Sequence, residues 1–169
     1  MKNLRTLALE NENLLTGIKF AVLLSLVLIA PLIGNQLVTG TIVNMTLILA
    51  ILTLNLRSAI LISLFPSFIA LISGTLNPAL APVIPFIILS NILLASIFNY
   101  FKNRDYWMSI VAASFAKFIF LYLSSLFIFE LILKEQIADM LSTTMGLFQL
   151  ITALSGSILA YFIYKFIKK

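Results

Sequence analysis

The sequence predicts an all-α integral membrane protein with six transmembrane helices in a single domain, residues 1–169. Three observations lead to this fold class. Hydrophobic residues make up 62% of the chain, and charged residues make up only 10%, against about a quarter in a soluble domain. The mean hydropathy is +1.13. Six apolar runs are each long enough to cross a hydrocarbon core of about 30 Å as a helix, and they lack the alternation of barrel strands.

The six spans are expected near residues 16–33, 37–55, 57–74, 79–101, 106–130 and 146–166. Residues 1–15, "MKNLRTLALENENLL", are mixed in charge, so we expect a cytoplasmic segment that lies as a helix near the lipid headgroups. Lys2 and Arg5 precede an apolar run, as in a signal peptide. No small-x-small cleavage site follows before Gly34, so the first helix is expected to be retained.

The connections differ in length and chemistry. Only "NLR" separates the second and third spans, which predicts a tight helical hairpin, and Pro66 in "SLFPSF" predicts a kink in the third. On the outer side, residues 131–145 form the longest connection. This segment is either a short helix or lid over the outer face, or a solvated linker.

Three prolines stand at the outer end of the fourth span, in "NPALAPVIPF": Pro78, Pro82 and Pro85. Each ring removes a backbone donor and disfavours helix at the preceding residue. Carbonyl groups freed at membrane depth are tolerated where they are buried in protein or line a cavity, as in the broken helices of transporters. A plain helix entry with Pro78 in the first turn is the alternative, and it accounts for one proline of the three.

The placement of lysine and arginine predicts the orientation. With the N-terminus inside, nine basic residues lie on the cytoplasmic side, one (Lys134) lies outside, and Lys117 lies within the membrane. Both termini are therefore expected in the cytoplasm of a multi-pass protein of the cell membrane. The nine are Lys2, Arg5, Lys19, Arg57, Lys102, Arg104, Lys165, Lys168 and Lys169.

Several kinds of chemistry are excluded by composition. The chain has no cysteine and no histidine, which removes thiol and imidazole chemistry, iron–sulfur ligation and the usual zinc sites. Five of its six acidic residues are expected to lie outside the bilayer core. We therefore expect no metal site, no cofactor and, for lack of a nucleophile–base pair, no enzyme activity. The net charge of +5 follows from topology, because the basic residues form no continuous stripe for nucleic acid.

Lys117, in "SFAKFIFLY", is the residue that most strongly indicates a polar site within the membrane. It lies near the midplane of the fifth span, where a lysine costs roughly 2.5–3.5 kcal/mol on insertion scales and snorkelling reaches neither interface easily. We expect it to face the bundle interior and to meet a polar cavity or an anionic ligand. The alternative is a lysine that caps backbone carbonyls freed by a neighbouring proline.

Together with Lys117, four amide side chains predict a substrate-binding site. Asn44 lies two turns into the second span, Asn91 near the middle of the fourth, and Gln149 one turn into the last. Gln36 joins Asn44 at the rim, where Gly40 lets a neighbour or solute approach the backbone. Interhelical hydrogen bonding, worth about 0.6 kcal/mol on average in membranes, is the alternative for each asparagine. Taken together with Lys117, they favour a polar lining in the outer half.

Small residues four apart predict close helix packing. Such pairs are Ala21/Ser25 on the first span and Ala153/Ser157 and Gly156/Ala160 on the last. Packing within the chain is the default for all of them, although the first pair could serve a partner. Tyr106 and Trp107 stand at an inner boundary and are expected to be interfacial anchors.

Six short spans with both ends cytoplasmic resemble a substrate-binding S component of an energy-coupling-factor transporter. The resemblance is closest to a subgroup of unknown substrate, whose patterns appear as "QLVTGTIVN", "PALAPVIPFI", "AKF" and "GLFQLITALSG". It covers nearly the whole chain. Two departures are Ser90-Asn91, where the subgroup often has Gly-Asn, and the reduction of the first helix's small-residue motif to Ala21-x-x-x-Ser25.

The resemblance implies a protein that captures a vitamin or other micronutrient from outside the cell, in the outer halves of helices four to six. It implies a membrane coupling subunit, docked at Ala21 and Ser25, and two ATPase subunits, because this chain has no phosphate-binding G-x-x-x-x-G-K-[ST] loop. Lys117 favours a solute with a carboxylate, phosphate or other electron-rich group. Two other functions remain open: a stand-alone carrier or channel, and a structural membrane protein without a solute.

Overall fold

The structure, a computed structural model, describes residues 4–132 and 144–168, and all regular elements within them are helical. The α-helices are α1 (Leu4–Ile29), α2 (Gln36–Thr53), α3 (Leu56–Ser63), α4 (Phe65–Ile72), α5 (Ile84–Phe101), α6 (Tyr106–Ile132) and α7 (Leu147–Ile167). Two 3₁₀ helices, Ala30–Ile33 and Pro78–Val83, follow α1 and precede α5.

Five helical segments in the described ranges are long and apolar enough to cross a membrane. They agree with five of the six predicted spans and are compatible with a multi-pass membrane protein. They are Asn11–Ile33, Gln36–Thr53, Pro78–Phe101, Tyr106–Phe127 and Leu147–Ile167.

The predicted third span, 57–74, differs from the other five. It consists of the short helices α3 and α4, which together cover Leu56–Ile72, roughly 25 Å at 1.5 Å per residue. Pro66 causes the break, since it cannot donate to the carbonyl of Ile62 and its ring crowds that group. At the junction, the amide of Leu64 donates to the carbonyl oxygen of Leu61 at 3.3 Å.

The N-terminal segment is not a separate element in the described residues. Helix α1 runs without interruption from Leu4 to Ile29, whereas the sequence suggested a boundary at residue 15. No proline occurs between those positions, so nothing in the backbone chemistry forces a break there.

Asparagine caps set the helix starts that position the bundle. Gly34 ends the first 3₁₀ helix in the left-handed region, at φ 72°, and Asn35 then accepts hydrogen bonds from the amides of Leu37 and Val38. Asn55 caps α3 in the same way through Ser58. Because the chain reverses within two residues, α2 and α3 form the expected tight hairpin.

The proline-rich segment forms a 3₁₀ helix, because in an α-helix the ring of Pro82 would clash with the carbonyl of Pro78, four residues earlier. Asn77 caps it by accepting from the amide of Ala79, Pro82 lies inside it, and Pro85 falls in the first turn of α5. Leu80 and Val83 point into a small apolar cluster with Leu121 and Met145. The prolines therefore shape the entry to α5.

Helix α2 lies at the centre of the bundle and packs most extensively against α7. The two backbones meet at Gly156, where an added Cβ would lie 2.5 Å from the carbonyl oxygen of Thr41 and 2.8 Å from the amide of Met45. At Gly40, a Cβ would lie 3.0 Å from the side chain of Thr152. This close approach fixes the depth at which α2 and α7 present their polar residues.

Candidate functional site

Lys117 extends from α6 into the middle of the bundle. Its Nζ donates one hydrogen bond to Oδ1 of Asn44 on α2 and one to Oδ1 of Asn91 on α5, each 2.7 Å long. The lysine and both asparagines are at least 98% buried. Three helices therefore meet at one ammonium group, and the prediction that Lys117 and Asn44 face inward agrees with this geometry.

No described carboxylate compensates this ammonium. The acidic side chains of Glu12 and Asp105 are exposed and lie outside the cavity. Glu130 lies thirteen residues beyond Lys117 on the same helix, about 20 Å away at 1.5 Å per residue. Within the part of the chain that the structure describes, Lys117 is held by neutral amide oxygens alone.

The chemistry of lysine fixes the orientation of both amide groups. An ammonium group donates and never accepts, so each asparagine must turn its oxygen toward Nζ and its NH₂ group elsewhere. Asn44 uses its NH₂ group on the hydroxyl of Thr152, 3.3 Å away on α7. Both ends of Asn44 are thus engaged, and this residue joins α2 to α6 and α7.

The NH₂ group of Asn91 has no hydrogen-bond partner among the described residues, and it is not sealed from the cavity that Asn91 lines. The same holds for the hydroxyl of Ser67, a residue 6% exposed on α4. Buried polar groups are normally paired. Asn91 and Ser67 thus leave two open polar groups on the cavity that Lys117 also lines.

A cavity of about 70 Å³ lies over this cluster. All five predicted substrate-binding residues line it, joined by Thr39, Ser67 and Thr144. Its lining runs along α2 from Gln36 to Asn44, about 12 Å of helix. The structure thus brings Gln36, Asn44, Asn91, Lys117 and Gln149 together, and their part in binding a solute stays a prediction.

Gln36 and Gln149 occupy the mouth of this cavity. Gln36 is exposed in the first turn of α2. Gln149 is buried, and its Nε2 donates to the backbone oxygen of Thr144 at 2.7 Å. Gln149 therefore holds the chain just before α7 against the cavity. Of the predicted outer connection 131–145, residues 133–143 lie outside the described residues, whereas Leu131 and Ile132 end α6 and Thr144 and Met145 precede α7.

Sequence reasoning missed Ser67 and Pro66 as lining residues. Both follow the break between α3 and α4, and from the sequence Pro66 predicts only a kink. The signal was present, since a proline interruption at membrane depth places irregular backbone against protein or a cavity. Thr152 was missed because a threonine on a helix commonly bonds to its own backbone.

The small-residue pairs separate into two groups. Ala153, Gly156, Ser157 and Ala160 are buried, as expected for packing within the chain. Ala21 and Ser25 are exposed on α1, with the Ser25 hydroxyl donating to the carbonyl of Ala21 at 2.8 Å. The docking role of this exposed pair stays a prediction.

The remaining basic side chains that the structure describes gather at the opposite end of the bundle from the cavity mouth. Lys102 ends α5 and donates to the carbonyl of Ile51 at 3.4 Å, while Lys165 and Lys168 lie over Tyr161 and Tyr164 at the end of α7. Tyr106 packs against Trp107 at this end, and its hydroxyl donates to the carbonyl of Ser157. Among the described side chains, Lys117 is the one basic group in the interior.

Comparison of the chain with protein-family models, with curated proteins and with solved structures gives no match.

Proposed function

We propose that this protein is the membrane subunit that captures a small polar solute for an ATP-driven importer of the energy-coupling-factor type. The observation that carries the proposal is the cluster of Lys117, Asn44 and Asn91 at the base of a cavity. A buried ammonium without a counter-charge is costly. A solute that accepts the remaining hydrogen bond of Lys117 would account for the presence of this ammonium.

The proposal includes six crossings with both termini in the cytoplasm. Helices α3 and α4 together form the third of these crossings, shortened and broken at Leu64. The basic side chains at the end opposite the cavity then face the cytoplasm, in keeping with the positive-inside rule. The mouth at Gln36 opens to the outside, where a captured nutrient would arrive.

The energy is proposed to come from partner proteins. The chain carries no phosphate-binding loop of its own, so a coupling subunit and two ATPase subunits would supply ATP hydrolysis, as the resemblance to S components implies. The exposed Ala21/Ser25 face of α1 allows another helix to approach closely. This face is the proposed docking surface for the coupling subunit.

Co-purification tests the partner part of the proposal. A tagged full-length chain, gently solubilised from cells that encode such a module, is expected to retain the coupling and ATPase subunits. Ser25→Phe should lose them, because a bulky side chain holds the partner helix away, whereas Leu126→Phe on exposed α6 should keep them. Solute uptake into liposomes by the protein alone would contradict the proposal and favour a stand-alone carrier.

A further inference from the structure

We propose that the group bound at the base of the cavity is the carboxylate of a small organic monoacid with an apolar body. This inference rests on the proposed solute capture and names the class of solute. It follows from three properties of the cavity: the donors it leaves open, its net charge, and the nature of its walls.

The open groups at the base can all donate hydrogen bonds. An ammonium has three donors, and two of those on Lys117 are used on Asn44 and Asn91. The NH₂ group of Asn91 is turned away from Lys117 and has no described partner, and the hydroxyl of Ser67 is also open. The amide oxygens of Asn44 and Asn91 each already accept a hydrogen bond from Lys117, so the unused capacity beside Lys117 is mainly that of donors. The complementary group is therefore an acceptor with more than one oxygen.

The positive charge of Lys117 in the cavity favours a solute group that carries one negative charge. Among the residues that the structure describes, Lys117 is the one charged residue that lines the cavity, and no carboxylate lies beside it. A cation would meet like charge, and a phosphate monoester near −2 would leave a second buried charge uncompensated. A carboxylate balances Lys117 and forms charge-assisted hydrogen bonds, which are stronger than neutral ones.

The walls restrict the rest of the molecule. Above the donors, the lining includes Val43, Ala70, Leu76 and Ile87, which offer apolar contact and no hydrogen bonds. The volume of about 70 Å³ is about half that of an engineered cavity that holds benzene. In this conformation the space suits a carboxylate with a short hydrocarbon body, with any polar end directed to Gln36 at the mouth.

Calorimetric titration of the full-length protein in mild detergent tests the proposal. The probes are acetate, propionate and butyrate, each paired with its amide, which has a similar shape and no charge. At least one acid is expected to bind about tenfold or more tightly than its amide, because only the acid offers two anionic oxygens to Lys117. If no acid binds more tightly than its amide, the proposal is wrong.

Two variants and one control locate the effect. Asn91→Asp places an internal carboxylate beside Lys117 at nearly the same size, so it should abolish acid binding while the melting temperature stays at or above that of the wild type. Lys117→Met should also abolish binding. Lys102→Met, which removes a lysine at the opposite end of the bundle, should bind as the wild type does.

The outcomes separate this inference from the proposed function. Acid binding that is unchanged in folded Asn91→Asp and Lys117→Met proteins overturns the inference. A neutral or cationic molecule retained by the purified wild type, and lost in Lys117→Met, also overturns it but leaves solute capture standing. If no probe binds and no molecule is retained, both proposals fail.

Discussion

Lys117 and its two asparagines show how one costly residue organises the interior. Two 2.7 Å hydrogen bonds hold the ammonium between α2 and α5, and hydrogen bonds to charged groups are worth about 1.5–3 kcal/mol. That range is similar to the cost of placing a lysine at the centre of a membrane helix. The amide cluster thus makes Lys117 tolerable in the interior of the bundle.

A double-mutant cycle between Lys117→Met and Asn44→Ala measures this interaction. We expect a coupling energy of about 1.5–3 kcal/mol, well above the roughly 0.6 kcal/mol of an average interhelical hydrogen bond in membranes. Unfolding in mixed micelles followed by circular dichroism provides the measurement. A coupling near zero would show that the bond to Asn44 does not stabilise the bundle.

The left-handed backbone at Gly74 gives a second prediction at this scale. Its φ is +75°, and nothing lies within 4 Å of an added Cβ, so the cost of a side chain there is conformational. We expect Gly74→Ala to lower the free energy of unfolding by about 1–2 kcal/mol and Gly74→Asn to cost less, because asparagine enters this region more readily. Equal stability of Gly74→Ala and wild type would contradict the turn geometry.

Residue types were predictable from the sequence, but their pairing was not. A lysine and asparagines in apolar runs indicate a polar interior by their cost alone. Which amide is fully engaged and which is open depends on Thr152 lying opposite Asn44, and that contact joins residues 108 positions apart. The spacing of residues along the chain carries no such information.

At the scale of helices, the α2–α7 contact holds Asn44 at the depth of Lys117. The contact depends on Gly156, because an added Cβ would lie 2.5–2.9 Å from atoms of Thr41, Met45 and Asn44. Two of these are backbone atoms, which cannot move aside as a flexible side chain can. The helices must separate to admit a side chain at this position.

Gly156→Ala is therefore expected to destabilise the protein by about 1–3 kcal/mol, the range for overpacking, and to weaken solute binding through displacement of Asn44. Gly17→Ala is the matched control, since nothing lies within 4 Å of its added Cβ on exposed α1. This variant should be neutral or stabilised by up to about 1 kcal/mol. Melting temperatures of the two purified variants decide the matter, and equal values would refute the close contact.

The helices were largely predictable because apolar length and proline position act locally. Five predicted spans agree with long apolar helices, and the hairpin at Asn55 and the interruption near Pro66 are confirmed. The sequence did not show that α1 extends unbroken from Leu4, or that the interruption at Pro66 turns Ser67 toward the cavity. The second result depends on how α4 packs, which is a tertiary property.

For the whole molecule, charge separates the two ends of the bundle. The basic side chains of α5 and α7 gather at one end, and the cavity mouth with Gln36 lies toward the other. If the basic end faces the cytoplasm, the cavity mouth faces the outside of the cell.

Cysteine labelling tests this orientation, and the wild-type chain, which has no cysteine, serves as the unlabelled control. Thr75 and Asn103 are exposed residues in connections at opposite ends of the bundle. We expect Thr75→Cys to react with a membrane-impermeant maleimide on intact cells and Asn103→Cys to react only after permeabilisation. The reverse pattern would show the opposite orientation.

The central claim is that Lys117 holds a solute in the cavity above it. Native mass spectrometry of gently purified full-length protein tests this claim most directly. We expect the wild type and Lys102→Met to carry a small-molecule adduct that is released on collisional activation, and Lys117→Met to lack it. A wild-type protein without any adduct, or an adduct that persists in Lys117→Met, would contradict the account.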